Sequence, residues 1–184
     1  MNNFDIIIVG AGSAGSILAS QLSEKKDLKI LIIEAGPKDF NPMIKIPLGY
    51  GMTFYNKKIN WNFYSKPQKY LNNRGIYMPR GKVVGGSGSI NAMVYTRGLK
   101  TDFNDWSNSK NTEWSIENIE NTYNQLEKNI VIKDKSSASK KITVNDVSSH
   151  HHNILKYYFN GTKELNLPFI KDFNKFDLEG IGNY

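Results

Sequence analysis

Cysteine is absent from the 184 residues, and that absence removes disulfides, thiolate metal sites and cysteine nucleophiles together. A reducing compartment is allowed without being required. Long apolar runs are also missing. The opening MNNFDIIIVG has no basic leader region, its apolar stretch is too short to span a bilayer, and no later run is longer. The expectation is a protein with no transmembrane segment, cytoplasmic, with peripheral association with a membrane left open. Histidine is scarce: His150, His151 and His152 are the full complement. Adjacent rings on one regular element cannot converge on an ion, so no metal is expected there, only an exposed cluster opening a helix.

Acidic residues are outnumbered, 17 against 24 basic ones, for a net charge of +7. The lysines are scattered, and their densest group, Lys133, Lys135, Lys140 and Lys141, lies in a Ser-rich polar tract that reads as a solvated loop. No nucleic-acid partner is expected. No internal repeat is present. The length and the 39% hydrophobic content suit one globular unit with a core of its own.

The first 36 residues are the most regular. Phe4 to Val9 and Lys29 to Glu34 each hold a continuous aliphatic run, Ile6 to Val9 and Ile30 to Ile33, the pattern of strands buried on both faces. Between them Ile17, Leu18 and Leu22 fall on one helical face. Two strands joined by a helix lie parallel with a right-handed crossover, the opening unit of a Rossmann-like α/β fold.

At the first strand-to-helix joint stands Gly10-Ala11-Gly12-Ser13-Ala14-Gly15. Gly10 permits the tight turn, Gly12 lets a pyrophosphate approach the backbone, and Gly15 lets the helix pack closely on the strand. The phosphates then meet free amides at the positive end of the helix dipole. Glu34 follows at the end of the second strand, where a carboxylate accepts from ribose hydroxyls and repels a 2′-phosphate. The ligand so implied is an ADP-containing dinucleotide. NAD and FAD share that half.

A second glycine-rich stretch, PRGKVVGGSGSINAMVYTRG, runs from Pro79 to Gly98. Taken with GAGSAG, Glu34-Ala35-Gly36, Asn60-Trp61-Asn62-Phe63, Asp102 and Trp106, it resembles the glucose–methanol–choline (GMC) oxidoreductases, most of all their choline dehydrogenase-like members. The likeness weakens through Trp114-Ser115 and returns in Asp172-Phe173-Asn174 with Glu179-Gly180. It covers nearly the whole chain.

The resemblance implies an FAD-binding fold and oxidation of the CH–OH group of an alcohol, with hydride passing to the flavin. It implies cofactor contacts for Gly10, Gly12, Ser13, Ala14 and Gly15, for Glu34 and Ala35, and for Arg80, Val84, Gly85, Gly86, Asn91, Ala92, Met93 and Val94. Gly85, Gly86 and Gly88 would let the main chain approach the flavin. Asn91 to Val94 would offer amides to charge gathering on the reduced ring. Some members carry a flavin-linked histidine where this chain has Ile90, so FAD is expected to be held without a covalent bond.

The family's catalytic base lies near its C-terminus, and no residue of this sequence matches it. No third buried-strand run appears after residue 100. The chain therefore reads as the N-terminal FAD-binding portion of a longer enzyme, residues 1–184, inactive alone and with the substrate region absent. Two alternatives remain: an NAD-dependent Rossmann enzyme, which leaves Arg80 to Gly98 without a role, and a non-catalytic nucleotide-binding module.

The remainder reads as scaffold. Ile116, Ile119, Tyr123 and Leu126 form a helical stripe behind Ser115 as N-cap. Ile154, Leu155, Tyr158, Phe159 and Leu165 form a second, stopping before Pro168. Residues 37–78 show no sustained period and read as an irregular excursion with short strand pieces. Trp61 and Trp106 are expected as partly buried packing residues.

Overall fold

A computed structural model describes residues 3–107, 111–129, 142–145, 147–175 and 179–182. Where composition suggests one unit, the chain packs as two compact ones, Met1–Met93 and Val94–Tyr184.

The first unit opens with β1 (Ile6–Val9), α1 (Ser13–Leu22) and β2 (Ile30–Ile33). The strands are parallel, Ile6 facing Ile30 through Val9 facing Ile33. The pairing extends backwards through Asp5 N–H donating to Lys29 O (2.9 Å) and forwards through Gly10 N–H donating to Ile33 O (2.7 Å). The βαβ unit is therefore formed as its periodicity predicts.

Burial on both faces is not. Alternation along β1 turns Ile8 toward α1, where it is buried, and leaves Ile7 57% and Val9 85% exposed on the opposite face. Ile32 and Ile33 are exposed as well. A continuous aliphatic run records that both faces suit burial, whereas the described elements cover one. On α1 the same correction applies to Leu18, which is exposed while Ile17 and Leu22 are half-buried.

Residues 37–78 contain more helix than the sequence suggests. Asn41 caps α2 (Pro42–Lys45), its Oδ1 accepting from Met43 N–H, with Pro42 at the first helical position. A 3-10 turn leads into α3 (Tyr50–Thr53), and a hairpin of β3 (Phe63–Tyr64) and β4 (Tyr77–Met78) follows. Single-turn helices span too few residues to show a 3.6-residue period. The core of this unit is Ile59, Val83 and Ile90, with Ile44 packed against them.

The second unit holds α4 (Lys100–Trp106), α5 (Ile116–Leu126), β5 (Glu127–Asn129), β6 (Ile142–Val144), α6 (Leu155–Glu164), β7 (Phe169–Ile170) and β8 (Ile181–Gly182). Ser115 Oγ accepts from Asn118 N–H at the start of α5, and Ile116, Ile119, Tyr123 and Leu126 are its half-buried stripe, as expected. The sequence reading missed α4, whose Asp102 carboxylate accepts from Leu99 N–H (2.9 Å) at its first turn. On α6 Thr162 is buried and Leu155 and Phe159 are half-buried, while Ile154, Tyr158 and Leu165 are exposed.

The three histidines precede α6 rather than opening it. Ser148–His150 form a 3-10 turn, and His152 Nδ1 accepts from Ile154 N–H just before the helix begins. No metal-binding group occurs among the described residues. The lysine tract Lys133 to Lys141 lies outside them. Trp61 and Trp106 are each about half exposed, Trp61 stacked on Phe63 and Trp106 edge-on to Phe103 and Trp114.

Candidate cofactor site

In the first unit the two glycine-rich segments meet backbone to backbone. Gly85 N–H donates to Ala11 O (2.7 Å), Gly12 and Gly85 form a parallel bridge, and Val84 N–H donates to Pro37 O (3.0 Å). Residues Gly86–Ser89 continue as a 3-10 turn against the start of α1. Gly10, Gly12, Ser13, Ala14, Gly15, Glu34, Ala35, Val84, Gly85 and Gly86 thus belong to one compact region.

The three glycines of the first loop differ in what surrounds them. Gly10 adopts φ +103°, which a side chain disfavours. At Gly15 a Cβ would collide with Gly10 O and lie 3.2 Å from Ile8 Cγ2, so close helix-to-strand packing excludes it. At Gly12 a Cβ would meet only Gly86 Cα, at an ordinary 3.8 Å. The protein's own packing therefore has no need of glycine at position 12, and the space beside it is free for a ligand.

In the second segment the glycines answer largely to the protein. Gly86 is buried, and a Cβ there would lie 2.8 Å from Gly12 Cα. Gly81 lies against Gly86 O, and Gly36 against Lys82 O. Gly88 meets only Ser13 Oγ, at 3.0 Å. Clearance for a flat ring is thus joined by a second cause, the stacking of two main chains.

Both oxygens of Glu34 are engaged, Oε2 accepting from Ala11 N–H (2.8 Å) and Oε1 from Gly36 N–H (2.9 Å). The carboxylate ties the first loop to the end of the second strand and retains lone pairs for further donors. The first turn of α1 has no side-chain cap and no acidic residue, which leaves its leading amides and dipole open to an anion.

Arg80 is exposed, its guanidinium donating to Pro79 O (2.7 Å), and its backbone is held by Asn60 and Trp61. Asn91, Ala92 and Met93 are exposed at the end of the unit, and Val94, also exposed, begins the next. Asn91 Oδ1 accepts from Met93 N–H (2.9 Å) and steadies Met93 at φ +60°, a conformation rare for a residue with a side chain. Ile90 is turned into the apolar core with Ile59 and Val83. The sequence reading placed Ser87 and Ser89 in the second segment without giving either a contact of its own, and it did not include Pro37 in this region. Ser87 Oγ accepts from Gly81 N–H, and Ser89 Oγ donates to Val84 O.

The family model for GMC oxidoreductase matches residues 4–184. This chain is a GMC oxidoreductase family member. Across 98% of its length it is 39% identical to the alcohol dehydrogenase [acceptor] of Pseudomonas putida, covering 33% of that protein. Over 67% of its length it is 45% identical to the oxygen-dependent choline dehydrogenase of Rhizobium etli, covering 22% of it. The crystal structure of pyridoxine 4-oxidase from Mesorbium loti superposes with a TM-score of 0.86 at 28% identity, over 97% of this chain and 35% of that one. An FAD-dependent oxidoreductase from Chaetomium thermophilum superposes with a TM-score of 0.71 at 28% identity, over 94% of this chain and 31% of that one.

This GMC chain corresponds to the family's N-terminal, FAD-binding part and spans about a third of the length of the alcohol dehydrogenase. No helix among the described residues is long and apolar enough to cross a membrane.

Proposed function

We propose that the protein to which this chain belongs oxidises the CH–OH group of a small alcohol, choline-like or another primary alcohol, and that these residues seat its FAD. The observation that carries this is the space at Gly12, open beside an uncapped helix start and walled by a second glycine-rich segment. The donors suit the ligand. The first-turn amides at Ser13, Ala14 and Gly15 would face the pyrophosphate, and Glu34 and Ala35 would border the adenosine ribose. Arg80, Val84, Gly85, Gly86 and the Asn91 to Val94 stretch would border the flavin half.

When bound, FAD supplies the hydride acceptor for the alcohol carbon. The chain's own residues bind and orient. The Val84, Gly85 and Gly86 amides are spent on Pro37, Ala11 and Val83, which fixes this segment as a main-chain wall, and the Asn91, Ala92 and Val94 amides would be the donors toward charge developing on the ring. Ile90 has no nucleophilic atom and lies in the core, which supports a dissociable cofactor. The relatives' names support an alcohol as substrate.

The test is purification of the full-length gene product, acid precipitation, and identification of any flavin set free. Yellow supernatant containing FAD, and bleaching of the bound flavin by an alcohol without oxygen, are the expected results. A folded colourless protein that binds NAD instead overturns the proposal.

A further inference from the structure

Asn60 is 2% exposed, and its carboxamide is engaged on both sides. Its Nδ2 donates to Phe54 O (2.7 Å) and to the Tyr77 hydroxyl (3.2 Å). Its Oδ1 accepts from Asn62 N–H and from Arg80 N–H, each at 3.0 Å. The residues around it pair with the second glycine-rich segment: Trp61 N–H donates to Arg80 O (2.9 Å), Lys82 N–H donates to Ile59 O (2.8 Å), and Asn60 bridges Gly81. Ile59 packs against Val83 in the core. Val83 is followed at once by Val84, Gly85 and Gly86, which seat on Pro37, Ala11 and Gly12.

We propose that Asn60 is a positioning residue for the flavin: it fixes the path of Arg80 to Val83, and so the place at which Val84 to Gly86 present their backbone to the cofactor. The inference rests on the FAD reading above. The two halves of the carboxamide do different work. The Nδ2 side holds the Phe54 carbonyl and the Tyr77 hydroxyl, which anchors the excursion to itself. The Oδ1 side holds Arg80, which leads to the cofactor. A carboxylate keeps the second and loses the donation to the Phe54 carbonyl, whereas alanine forfeits both sides.

That difference separates positioning from stability. In the full-length protein, Asn60→Ala is expected to weaken FAD binding by about tenfold or more, as loss of an oriented hydrogen bond to the segment allows. Asn60→Asp is expected to stay within about threefold of the wild-type FAD dissociation constant while melting no higher than the alanine variant, because it buries a charge opposite a carbonyl. Thr53→Ala, at a buried neighbour whose hydroxyl donates to Tyr50 O, is the control: a lower melting temperature with unchanged FAD affinity. Should Asn60→Ala fail to fold, Tyr77→Phe compared with Asn60→Asp serves in its place, both being expected to lose stability and keep the cofactor. FAD affinity that simply follows melting temperature across these variants overturns the inference. A wild-type protein that takes up no FAD overturns the function instead, so the two failures are distinct.

Discussion

Gly86 lies over Gly12 so closely that a Cβ on Gly86 would stand 2.8 Å from the Gly12 Cα, whereas a Cβ on Gly12 would find only an ordinary contact at 3.8 Å. The pair is asymmetric. Gly86→Ala meets both a clash and a φ of +59°, and is expected to destabilise the folded protein by about 2–4 kcal/mol. Gly12→Ala is expected to change apoprotein stability by less than about 1 kcal/mol and to weaken FAD binding at least tenfold. Thermal melts of the apoproteins and flavin titrations check both.

Glu34 accepts from two backbone N–H groups, one on each oxygen. Glutamine can satisfy only one of them, and its NH₂ would face the other donor. Glu34→Gln should therefore cost about 1–3 kcal/mol of stability in urea unfolding. It should also lower FAD affinity, because the first loop loses its tie to the second strand.

In the second unit Arg97 and Glu127 form an ion pair, Nη2 to Oε2 at 2.5 Å, with side chains only 10% and 5% exposed. Arg97 also lies over the Tyr123 ring. Removing the carboxylate by Glu127→Ala leaves a desolvated guanidinium and is expected to cost about 3–5 kcal/mol. Arg97→Met combined with Glu127→Leu should recover a large part of that loss. Chemical denaturation of the single and double variants measures it.

The Tyr95 hydroxyl donates to Glu127. Burial, with help from that bond and the adjacent negative charge, pushes its pKa well above the ordinary tyrosine range. The folded state keeps the phenolic proton at a pH where the unfolded chain has lost it, so this contribution is full below about pH 10 and lost as pH rises further. Tyr95→Phe should flatten the fall in melting temperature above about pH 10. Tyr77, also raised chiefly by burial, leaves part of the slope in place.

What the sequence made legible was whatever depends on neighbours in the chain. The βαβ opening and the Ser115-capped helix follow from local period and capping, and both stand in the structure. Two-sided burial of β1 was expected and is not found, because Ile7 and Val9 record a preference and not what covers them. Asn60 could be noticed in its motif yet its burial could not, since a lone polar residue gives no sign of carbonyls supplied from Phe54 or amides from Arg80. The glycines of the second segment were legible as a demand for space. That the Gly12 main chain occupies part of that space required the fold.

Where Gly12 and Gly86 touch, the join is written in peptide units alone, without a side-chain alphabet. Evolution ordinarily reshapes a ligand's seat by exchanging one side chain for another, and here there is none to exchange. The outline of this seat is consequently fixed, and diversity among proteins built on it has to arise in the residues around the join.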